Sequence, residues 1–60
     1  FRDRLRAVAS ERDAAIWVAV AIEREAGNRS PAVTVGTTHD LQPATVRKVV
    51  QRVGERLQVA

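Results

Sequence analysis

The clearest hydrophobic pattern lies in the last third of the chain. Val46, Val49, Val50, Val53 and Leu57 recur at spacings of three and four with mostly polar residues between them, which predicts a helix with one apolar stripe. Pro43 marks its start, since proline fits the first helical turn where its missing N–H leaves no bond unmade. Upstream, residues 14–22 form an unbroken run of nine apolar positions. Ser10 precedes that run as an N-cap, with Asp13 three residues on where a capping box has Glu or Gln, and Glu11 and Asp13 suit the positive end of a helix dipole. A helix over 11–26 follows, closed by Gly27 and Asn28.

Two weaker segments complete the pattern. Phe1, Leu5 and Val8 fall at helical spacing among arginines, consistent with a short amphipathic helix over 1–9. Ser30 and Pro31 read as an N-cap and first helical residue. The stretch that follows is rich in β-branched residues and carries Gly36, so propensity alone suits a strand equally well. The expected fold is all-α: one small four-helix domain over 1–60 with a C-terminal helix-turn-helix at about 32–51. That motif requires small and apolar residues at set offsets across a tight turn. Val35 packs inward, Gly36 permits close approach, Leu41 plugs the corner, and Val46 and Val49 face back from the second helix. Asp40 stands where such turns most often have glycine, and its short side chain tolerates the left-handed backbone needed there.

The nine-residue apolar run covers every side of a helix, whereas a surface helix shows one stripe. Either the last two helices wrap around it, or one face meets another chain. The expectation is a homodimer through Ile16, Trp17 and Val20. The run is too short to cross a bilayer, which takes about 20 residues, so no membrane association is expected.

Composition narrows the function classes. A chain of 60 residues buries about 60 % of its unfolded surface, and without cysteine it has no disulfide or thiolate metal site to staple it. The absence of cysteine also suits a reducing cytoplasm, the expected location. The arginine-rich N-terminus lacks the apolar core of a secretory signal, and the chain opens on Phe1 rather than Met, as a trimmed chain or a fragment would. The net charge of +3 is unevenly spread, with basic ends and an acidic second helix, and nine of the ten cations are arginine, whose fork suits phosphates and guanine edges. Chemistry has little to work with. His39 is the one histidine, Ser10 and Ser30 fall at caps, and Glu23 and Glu25 cannot face one another on a helix. The glycines are isolated rather than grouped as a phosphate loop. No enzyme activity, cofactor or metal is expected.

Glu-Arg-Asp-Ala-Ala-Ile-Trp-Val opening the second helix, Glu-Ala-Gly closing it, and Pro-Ala-Thr-Val-Arg-Lys-Val-Val-Gln-Arg-Val-Gly-Glu-Arg-Leu forming the last resemble the fourth region of bacterial sigma factors and related bacterial and archaeal helix-turn-helix regulators. The resemblance covers residues 11–57. It implies sequence-specific binding to double-stranded DNA, as a transcriptional regulator among other transcription proteins, with the helix from Pro43 in the major groove. Under that reading Gln42, Arg47 and Gln51 make bidentate base contacts, Ala44 touches a thymine methyl, and Thr45, Lys48 and Arg52 reach phosphates. Arg29, Ser30, Thr34, Thr37 and Thr38 add weaker backbone contacts. The competing expectation is a helical protein-interaction module in which the arginines only confer solubility.

Overall fold

The structure, a computed structural model, describes the backbone of residues 2–59. Phe1, expected on the apolar side of the first helix, lies outside the described residues. Among them the chain forms four helices and no strand: α1 (Arg2–Val8), α2 (Glu11–Glu25), α3 (Pro31–His39) and α4 (Pro43–Val59).

Local chemistry accounts for most helix ends. The Ser10 hydroxyl accepts the Asp13 N–H at 3.1 Å and caps α2. The reciprocal arm of a capping box does not form, because the Asp13 carboxylate pairs with Arg12 at 3.2 Å instead. At the other end Gly27 takes φ +86, Asn28 N–H reaches the Glu23 carbonyl at 3.0 Å, and Gly27 N–H reaches that of Arg24, which together make a Schellman closure. Ser30 occupies the cap position of α3, but its hydroxyl makes no capping bond. Asn28 does the ordering there: its side-chain oxygen accepts the Ser30 N–H at 2.8 Å, and its amide donates to Thr34 and Glu23, tying the end of α2 to the first turns of α3.

The β-branched segment is a helix. Pro31 at its first position pre-sets the backbone, and Thr37 and Thr38 satisfy their hydroxyls on carbonyls one turn back. Burial of Ala32, Val35 and Gly36 then outweighs a propensity deficit of a few tenths of a kcal/mol per residue.

The turn to α4 spans residues 40–42. Asp40 is the one non-glycine residue with positive φ among those described, at φ 58 and ψ 47. Its left-handed backbone lets Leu41 N–H donate to the Gly36 carbonyl at 2.7 Å. A Cβ added at Gly36 would sit 2.6 Å from the Leu41 oxygen and 3.5 Å from Val46. The close approach that requires glycine is therefore made first by the turn's own backbone and only second by α4.

The core is the meeting of these helices: Leu5, Ile16, Val20, Ala32, Val35, Val46, Val49 and Val53, with Trp17, Leu41, Val50 and Leu57 packed against it. Helix α4 touches all three others. Two arginines clamp it to α1, each at a helix C-terminus where a cation is favoured: Arg4 donates to the Leu57 carbonyl at 2.9 Å and Arg56 to that of Val8 at 3.0 Å. Ile16 is wholly buried and Val20 is 3 % exposed inside this chain, which corrects their expected place on a partner face. The chain's own helices cover them, and Trp17, half-buried, packs on the same core. The apolar residues that α2 leaves outward are Ala15, Val18 and Ile22, the last 61 % exposed.

Candidate nucleic-acid interface

Burial sorts the faces of α4. Val46, Val49 and Val53 point inward at 1 % exposure or less. At 3.6 residues per turn, the opposite line is Ala44, Lys48, Gln51 and Glu55, all exposed. Arg47 and Arg52, also exposed, lie on the two flanks, and half-buried Thr45 shares the Arg52 side. Charge changes along the outward line, from Lys48 in the first half of the helix to Glu55 in the second, and Gln51 donates to Glu55 at 3.3 Å. An anionic partner is thus better matched by the N-terminal half of α4 than by its end.

The candidate residues fall into three surface regions. Arg29, Ser30, Arg47 and Gln51 line one open groove of about 550 Å³, formed where the end of α2 and the start of α3 meet α4. Thr37, Gln42 and Thr45 line a second, beside the turn. Thr34 and Thr38 line a third, between α2 and α3 with Ile22, Glu23 and His39, so the fold does not bring them to the face of α4. The Thr34 hydroxyl already accepts from Asn28 at 2.8 Å. One turn apart on α3, Thr34 and Thr38 share a side that faces α2, so any backbone contact they make is separate from the face of α4.

Lys48, grouped by sequence with the phosphate contacts, lies on the outward line, whereas Arg47, grouped with the base contacts, lies on a flank. The first groove also contains Arg24, which sequence reasoning missed. Its signal was the four-residue spacing from Val20 within α2, which puts both on one side of that helix. Among the described residues no three His, Cys, Asp or Glu side chains gather as a metal site requires, and no helix is long and apolar enough to cross a membrane.

The fold and surface define a class: a small all-α domain whose last helix presents an exposed face, basic in its N-terminal half, beside an arginine-lined groove. No family model, curated protein or solved structure matches the chain.

Proposed function

We propose that α3, the turn and α4 form a helix-turn-helix that binds double-stranded DNA as a transcriptional regulator, with the N-terminal half of α4 in the major groove. The observation that carries this reading is the outward line Ala44, Lys48 and Gln51, exposed and flanked by Arg47 and Arg52, on a helix whose opposite side is wholly buried. A helix of that kind is firmly held from behind and free in front, as insertion into a groove about 12 Å wide demands. Support also comes from the turn, where a left-handed Asp40 and a sterically required Gly36 hold α3 and α4 in one relation. In this reading Ala44 and Gln51 meet base edges with Lys48 between them, and Gln42 and Thr45 add contacts at the start of the helix. The cytoplasm, which the absence of cysteine suits, is the location that goes with this reading. Nothing in this role calls for catalysis.

The test is affinity for mixed-sequence duplex across a salt series, followed by selection of duplexes from a random pool. Phosphate contacts predict a linear fall of log affinity with log salt, and base contacts predict an enriched sequence whose preference weakens in Gln51→Ala. Absence of binding at low salt would sink the proposal.

A second reading, an assembly module, is favoured by one observation: the outward apolar line Ala15, Val18 and Ile22 on α2. A second copy docked there would make the protein a dimer, and sedimentation equilibrium across a hundredfold range of concentration tests it. Loss of self-association in Ile22→Ser supports this face; a monomer throughout rejects it.

A further inference from the structure

Arg24 comes from the end of α2, Arg29 from the loop before α3 and Arg47 from α4, yet the fold puts all three on one groove. Among the described residues no carboxylate lines that groove; its other lining residues are apolar or neutral, with Val50, Pro31 and Ala32 among them. Arg4, Arg12 and Arg56 are each held by a carbonyl or a carboxylate. The three groove guanidiniums have no such partner among the described residues, and all three residues are exposed. Like charges gathered from three elements, with no countercharge among the described lining residues, raise the local positive potential and attract an anion of matching geometry. The planar fork of arginine fits two oxygens of a phosphate at once.

We infer that this groove seats a backbone phosphodiester of the DNA, which makes Arg24 a DNA contact and Arg47 a phosphate ligand rather than a base reader. The inference rests on the DNA binding proposed above. Its geometric ground is the order of faces on α4. A helix lying in the major groove turns its outermost line to the base edges and its two flanks to the phosphate walls. Arg47 is about 100° round the helix from buried Val46, on the flank that faces Arg24 and Arg29, while Lys48 and Gln51 occupy the outermost line. Helix α2, which contributes nothing to the outward line, thereby takes part in binding through its last turn.

The test uses the 60-residue chain with a mixed-sequence duplex and a duplex selected from a random pool. Arg24→Ala and Arg47→Ala should each flatten the log-log salt slope by about 0.9. Both should leave the ratio of selected to mixed affinity unchanged, and Arg24→Lys should keep the slope. Gln51→Ala should lower the ratio instead. All these side chains are exposed, so thermal melts by circular dichroism should match the unaltered chain and exclude misfolding as the cause. A steep slope in the unaltered chain that Arg24→Ala does not change overturns the groove inference and leaves the DNA reading standing. A tenfold drop of the affinity ratio in Arg47→Ala overturns the assignment of Arg47. Failure of the unaltered chain to bind either duplex overturns the DNA reading and the inference with it.

Discussion

Gly36 is the position where one added methyl group should do most damage. In the middle of a helix, alanine is favoured over glycine by about 1 kcal/mol, so α3 taken alone predicts that Gly36→Ala stabilises the chain. The fold predicts the reverse. The new Cβ would lie 2.6 Å from the Leu41 carbonyl oxygen, a backbone atom that cannot swing aside as a flexible side chain would. Relief requires the turn to move away from α3, which stretches the 2.7 Å bond from Leu41 N–H to the Gly36 carbonyl and draws Leu41 off the core. Overpacking of this kind costs about 1–3 kcal/mol, and a weakened hydrogen bond adds about 1. After the helical gain of about 1 is subtracted, the net loss is about 1–3 kcal/mol. In a domain of this size stability is about 3–9 kcal/mol, and 1 kcal/mol moves the midpoint by about 4–8 °C. Gly54 is the internal control: it lies inside α4 and a Cβ there meets nothing within 4 Å, so Gly54→Ala should stabilise by up to about 1 kcal/mol. Urea titrations followed by circular dichroism at 222 nm measure both. Equal signs for the two substitutions, or a Gly36→Ala chain as stable as the original, would refute the steric argument.

Four further substitutions probe other parts of the fold. Asp40→Gly removes the strain of a left-handed side-chain-bearing residue and should raise stability by about 0.5–1 kcal/mol; a lower thermal midpoint would show that the Asp40 side chain stabilises the turn in a way its backbone does not reveal. Ser10→Ala loses the bond to Asp13 N–H and should cost about 1 kcal/mol with reduced helicity, whereas no change in the urea midpoint would mean the cap is redundant. Ile16→Ala should cost about 2–5 kcal/mol at any protein concentration and Ile22→Ser less than about 0.5 in the isolated chain, because the first empties the core and the second alters an exposed position; a concentration-dependent loss in Ile16→Ala would return Ile16 to an interface between chains.

What sequence determined by itself was local. The cap at Ser10, the glycine closure at Gly27, the prolines opening α3 and α4, and the valine stripe of α4 all depend on bonds or periodicity within a few residues, so they can be read without knowing what packs on what. The same holds for the exposed line of α4, since polar positions opposite an apolar stripe follow from 3.6 residues per turn. Tertiary structure decided the rest. Helix or strand for residues 31–39 was balanced on propensity and was tipped by burial of Ala32, Val35 and Gly36. An apolar run on every side of α2 carries no direction, and only the positions of α3 and α4 turn Ile16 and Val20 inward and leave Val18 and Ile22 outside. The threonines of α3 were sorted the same way, with Thr37 beside the turn and Thr34 and Thr38 toward α2. The grouping of Arg24 with Arg47, 23 positions apart, exists only because α2 and α4 cross beside the start of α3. Local hydrogen bonding and helical period are written into adjacent residues, whereas the direction a face takes and the company a charge keeps are properties of packing.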